Sequence, residues 1–118
     1  MAMKPTHATA DFGYLTTTGR RSGNPHTIEI WFAAVGDTIY LLSGGGGRSD
    51  WCRNLVAEPE ASFRIARTDY PVTGRRVRGA AEQRIARDAV FAKYDPGYGG
   101  DLTEWRDSSA PFALDLTS

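Results

Sequence analysis

The chain has a single cysteine, Cys52, so it cannot close a disulfide on itself, and no Cys-x-x-Cys pair is present. Its two histidines, His7 and His26, stand far apart in sequence, which removes the usual basis for a metal centre. Net charge is absent as well: 14 basic residues balance 14 acidic ones. No global field therefore draws the protein to nucleic acid or to an anionic membrane, and a small RNA-binding barrel is disfavoured. No apolar run is long enough to cross a bilayer, and the first residues lack the apolar core of a secretory signal. The expectation is a soluble cytoplasmic protein without an integral membrane segment. A Gly-x-Ser-x-Gly elbow, a P-loop and a Rossmann fingerprint are all missing. Lysine is scarce too, with Lys4 and Lys93 the only two among 14 basic residues. The skew toward arginine as a whole fits GC-rich coding, so only arginines beside glycine turns carry functional weight.

What is present is ordinary globular composition, 41% hydrophobic and 24% charged over 118 residues, enough for one domain with its own core. Residues 1–10 read as a flexible lead-in and 11–118 as a single domain. Strands are expected over 12–18, 26–34, 38–43, 61–66, 72–80 and 110–116. Gly36 and Asp37 mark a hairpin, Thr68 to Pro71 a turn, and Gly74 a bulge. The apolar run 38–43 suits burial on both faces. A short helix follows, with Ser49 as its cap, Asp50 in its first turn and Pro59 as its stop. Residues 81–94 form the clearest helix, Pro96 to Gly100 a loop, and 102–106 a further short helical piece. The fold class is mainly β (α+β): a split β-barrel of about six antiparallel strands with two flanking helices.

Two elements are friendly to anions. Gly19-Arg20-Arg21-Ser22-Gly23 is a strand-to-strand turn whose guanidinium forks, hydroxyl and amides suit a phosphate or carboxylate. About 20 residues on, Gly44, Gly45, Gly46 and Gly47 lead through Arg48 into a helix start, where bare amides admit an anion or a flat ring. The alternatives are a solvated hairpin tip and a flexible linker. Glu29 and Trp31 share one strand face and frame either a planar ligand or the contact of a dimer. Tyr94, Tyr98 and Trp105 gather around a late Gly/Pro-rich loop, as a lid or as phenolic proton donors, although a phenol pKa near ~10 makes them slow acids unaided. Cys52 reads as a buried structural thiol.

These residues resemble a known family. Thr17-Thr18-Gly19-Arg20-Arg21-Ser22-Gly23-x-Pro25, then Ile30-Trp31-Phe32, the glycine loop, and Trp51-x-x-Asn54-Leu55-x-Ala57-x-Pro59 are similar to the deazaflavin-dependent nitroreductases. Tyr94-x-Pro96-x-Tyr98 and Pro111-Phe112-Ala113-Leu114 fit as well. That family belongs to the flavin/deazaflavin oxidoreductases with a split β-barrel, akin in architecture to pyridoxamine-phosphate oxidases. The resemblance implies coenzyme F420, an 8-hydroxy-5-deazaflavin, as cofactor, with FMN as the alternative. It implies that Arg20, Arg21, Ser22 and Gly23 line the tail or phosphate, and that Ser43 and the glycines approach phosphate and ring. Trp31 would flank the deazaflavin, Trp51 and Asn54 would fix the helix beside it, and Tyr94 and Tyr98 would roof the substrate side as the catalytic donors. The chain departs from the pattern in Arg48-Ser49-Asp50, in Cys52, and in Gly99-Gly100-Asp101 where a third tyrosine is usual. The implied activity is hydride transfer to a small-molecule redox acceptor such as a quinone or nitroaromatic, in a homodimer. The rivals are an FMN enzyme and a non-catalytic carrier of a cofactor, haem or lipid.

Overall fold

The computed structural model describes residues 3–117. Seven strands form one antiparallel sheet: β1 (Gly13–Thr18), β2 (Pro25–Ile30), β3 (Ala33–Val35), β4 (Thr38–Ser43), β5 (Glu60–Ile65), β6 (Thr68–Arg76) and β7 (Ala110–Leu116). Their spatial order is β2-β1-β5-β6-β7-β4-β3. The two end strands are thus consecutive in the chain, joined by Trp31 and Phe32 alone. Three peptide steps reach no more than roughly 11 Å. Seven strands laid flat at about 4.8 Å spacing would put those ends nearly three times as far apart. The sheet must therefore curl until its ends meet, and Trp31 stands at the seam. This is the split β-barrel architecture read from the sequence.

The interior holds Leu15, Phe32, Ile39, Leu41, Phe63, Val72, Phe112 and Leu114, each at most 1% exposed. A helix after β4, α2 (Asp50–Ala57), packs on this core through Leu55 and Trp51. The long helix α3 (Ala80–Tyr98) covers the outer face, where Ala86 and Val90 meet Tyr40, Leu42 and Ala113. So β4 is buried on both sides, as its unbroken apolar run requires. The short helix α4 (Thr103–Ser108) leads into β7.

Several expectations are corrected. The strand expected over 26–34 is two strands, because the chain breaks at the seam. Gly74 is no bulge: its pairing with Leu114 continues the register on both sides. A Cβ there would lie 2.5 Å from Leu55, so glycine lets α2 press against β6. The turn expected at 68–71 falls at Ala66 and Arg67, with Ala66 at φ 56°, and Pro71 lies inside β6 opposite Ser62. The long helix runs on past Pro96 and Gly97 and ends at Gly99, whose φ of 81° caps it. Proline forfeits one helical bond there, while Tyr98 in the same turn packs edge-on to Trp31. Within the expected lead-in, Met1 and Ala2 lie outside the described residues. Among the rest, α1 (Pro5–Ala8) sets His7 Nδ1 2.6 Å from the Tyr70 hydroxyl.

Candidate functional site

The arginine turn closes the β1–β2 hairpin, with the Gly19 amide donating to Asn24 O at 2.8 Å and Gly23 at φ 75°. It is fastened to α2. The amide and the guanidinium of Arg20 both donate to Asn54 Oδ1, at 3.2 and 2.8 Å. Asn54, buried at 2% exposure, donates in turn to Thr17 Oγ1 at 3.2 Å. Arg20 also reaches Asp50 at 3.4 Å. A cleft of about 230 Å³ lies here, lined by Gly19, Arg20, Arg21, Ser22, His26, Asp50 and Asn54. Arg21 is exposed and has no ion pair among the described residues. Ser22 Oγ accepts from the Asn24 amide at 3.1 Å. His26 escaped the sequence reading. Its pairing opposite Thr17 puts it under Gly19, where a Cβ would meet its ring at 2.6 Å.

The glycine loop leaves β4 after buried Ser43 and enters α2. Gly46 and Gly47 adopt φ of 66° and 89°, so side chains there would be strained. Ser49 sits at the N-cap position but makes no capping bond; its hydroxyl lies 3.5 Å from that of Ser43. A Cβ on Gly44 would come within 3.2 Å of the Trp105 indole nitrogen, and one on Gly47 within 2.8 Å of the Arg76 guanidinium. Arg76 is a second omission of the sequence reading. Strand alternation separates it from Arg75, which is bound to Glu82 and Asp115 at 2.7 Å each. The exposed Arg48 completes this side. Trp51 faces the core, its ring 5.2 Å from Phe112. It thereby helps seat α2 on the core. Cys52 is buried, and burial pushes its thiol pKa up, so it is an unreactive core group.

Beyond the glycine loop lies an aromatic cluster. Trp31 stacks on Tyr94 at 4.3 Å with an interplanar angle of 3°. Trp105 and Tyr98 stand edge-on to it at 5.9 and 6.0 Å. An open cavity of about 540 Å³ is bordered by Trp31, Tyr98, Asp101, Leu102, Glu104, Trp105 and Ser108. Two earlier pairings change here. Glu29 is not with Trp31: its carboxylate meets the Tyr14 hydroxyl at 3.4 Å, while Trp31 belongs to the seam. Tyr94 is not free to donate to a ligand. Its hydroxyl accepts from the Phe32 amide at 3.0 Å and lies 2.7 Å from Asp11 O, and burial raises its pKa to about 12. Tyr94 is a clamp on the seam. Tyr98 is 53% exposed, and its hydroxyl has no partner among the described residues. Lys93, beside Tyr94, donates to Phe32 O at 2.8 Å, and burial lowers its pKa to about 8.

The fold thus carries two recesses, an arginine-lined cleft beside α2 and an aromatic-walled cavity at the seam. The sequence profile of the F420H(2)-dependent quinone reductases matches residues 5–107. The chain belongs to that family, and is accordingly an F420-dependent oxidoreductase. Its fold is similar to that of a solved F420-H2 dependent reductase, at TM-score 0.72 and 19% identity, covering 89% of this chain and 94% of the other. A heme binding protein from Mycobacterium smegmatis aligns at TM-score 0.71 and 20% identity, over 93% of this chain and 48% of its own. A FAD-binding protein from Mesorhizobium loti aligns at TM-score 0.66 and 12% identity, over 100% and 93%. No described helix is long and apolar enough to cross a membrane.

Proposed function

We propose that this oxidoreductase reduces a quinone, holding the anionic tail of F420 between the arginine turn and the glycine loop and receiving the acceptor in the aromatic cavity. The observation that carries the reading is the position of the glycine loop. One end of it abuts Trp105 on the cavity wall, and the other enters α2, whose Asp50 and Asn54 line the arginine cleft. One extended ligand can therefore bridge the two.

The residues fit such a cofactor. Arg21 and Arg76 offer guanidinium groups, and Ser22 and the loop amides offer neutral donors. Glycines 44 and 47 leave room where any Cβ would crowd Trp105 or Arg76. Asp50 offsets part of the charge of Arg20, which makes Arg21 the principal charged contact. Trp31 gives the ring a flat wall, and Asn54 and Trp51 keep α2 in place.

When bound in reduced form, the deazaflavin supplies a hydride. Conversion of a quinone to its hydroquinone by that hydride would also require one proton, which the protein or solvent would supply. The chain's own contribution is orientation, partial exclusion of water, and a proton donor. Tyr98 is the candidate donor, because its hydroxyl alone of the two phenols is uncommitted. We also propose a cytoplasmic homodimer; exposed Phe12, Val35 and Val56, at 40%, 44% and 66%, are apolar surface for a second copy.

The test is to titrate the purified protein with F420 and with FMN by fluorescence anisotropy, then add menadione to the reduced complex. Tight F420 binding followed by oxidation supports the proposal. A preference for FMN would put the phosphate-binding arginines to flavin use. Binding without turnover would make the protein a carrier.

A further inference from the structure

The aromatic cavity has an uneven charge. Its walls are the π faces and edges of Trp31, Tyr98 and Trp105, and both of its charged lining residues, Asp101 and Glu104, are acidic. No Lys, Arg or His lines it. The cation of α4, Arg106, does not line it: its guanidinium lies over the Phe91 ring at 4.4 Å and pairs with Asp107 at 2.9 Å, while its charge still reaches Asp101. Asp101 is fixed in position, accepting from the Thr103 amide at 2.9 Å and its hydroxyl at 2.6 Å. These bonds hold its carboxyl below the usual range, so it stays charged at neutral pH. Glu104 is exposed on the first turn of α4. Electron-rich ring faces and carboxylates both favour positive charge and oppose negative charge.

We infer that this cavity selects its planar ligand by charge, taking cationic rings best, neutral rings next and anionic rings worst, with Asp101 and Glu104 as the discriminating residues. The inference rests on the proposed use of the cavity as the acceptor site and narrows it: the acceptor is a neutral or positively charged aromatic, not a sulfonate or carboxylate. The selection also separates the two ends of one bound pair. An anionic cofactor tail is welcomed at the arginines, and an anionic group is turned away where the acceptor enters.

Three two-ring probes of similar size test this without cofactor: N-methylquinolinium, menadione and 2-naphthalenesulfonate. Each is titrated against the full chain at low ionic strength, following quenching of Trp31 and Trp105; Trp51, packed on Phe112, gives a constant background. The cation is expected to bind about ten-fold or more tighter than the anion, with menadione between. In Asp101→Asn/Glu104→Gln that span should shrink to about two-fold, and Glu104→Gln alone should narrow it partway. The asparagine keeps an acceptor for Thr103, and the single Glu104→Gln change touches only an exposed side chain. Equal binding of the three probes, or a span unchanged in both variants, overturns the inference. Because the readout is direct binding, graded affinities without menadione turnover would uphold the charge selection and sink only the acceptor role.

Discussion

The two ends of the site are built on opposite principles. At the arginine turn every contact is polar and the geometry is set by one buried amide: Asn54 takes both Arg20 donors and ties them to Thr17. At the seam the geometry is set by ring packing, with Trp31 held flat against Tyr94 and edge-on to Trp105 and Tyr98. A charged group held at the polar end, as proposed, would leave by exchanging its hydrogen bonds for those of water. The aromatic end offers area and shape, and its charge is of the opposite sign. A pair of ligands that must meet in one orientation is well served by such unlike ends.

The largest effect should come from Asn54→Ala. It strips the shared acceptor from Arg20 and leaves Thr17 buried without its partner. We expect a loss of about 3 kcal/mol in unfolding free energy in urea, with F420 affinity falling alongside. If only stability falls, Asn54 belongs to the core and not to the polar end. Next, Arg21→Ala should weaken F420 by about 2 kcal/mol, roughly thirty-fold in Kd by anisotropy, with no change in stability. An unaltered Kd would take the turn out of the site.

The two tyrosines sharpen the comparison within the aromatic end. Tyr94→Phe should cost about 1–2 kcal/mol of stability, because the Phe32 amide at the seam loses its acceptor, and should leave kcat nearly intact. Tyr98→Phe should do the reverse, with unchanged melting and a kcat toward menadione lowered about ten-fold. Exchange of the two phenotypes would reverse the assignments of clamp and donor. The smallest effect lies away from both ends. Arg75 holds Glu82 at a pKa of about 2 and keeps Asp115 below its ordinary value. A depressed carboxylate stabilises the fold above its unfolded pKa. Stability should therefore fall as pH drops from about 4.5 toward about 2. The partners are partly exposed, so the loss for the pair should stay near or below about 1 kcal/mol, and Glu82→Gln should flatten it.

Much of this was legible in the chain because it was local. Alternation at Ile28 and Ile30, the unbroken run of β4 and the Gly36-Asp37 hairpin each carry their own structural signal. The arginine turn and glycine loop were visible for the same reason. What escaped depended on distant partners. Nothing near Gly74 announces that Leu55 will press on it, and nothing near Pro96 announces that Tyr98 in the same turn will pack on Trp31. His26 and Arg76 reach the site only through register and strand alternation. Tyr94 and Tyr98 look equivalent in sequence; only the backbone of Asp11 and Phe32, far away along the chain, tells them apart.

The two-residue link between the first and last strands of the sheet has a mechanical meaning. It sets the circumference of the barrel, and the indole of Trp31 occupies that narrowest stitch. A ligand seated against this ring would brace the join between the two strands, and its binding is expected to show as a rise in melting temperature.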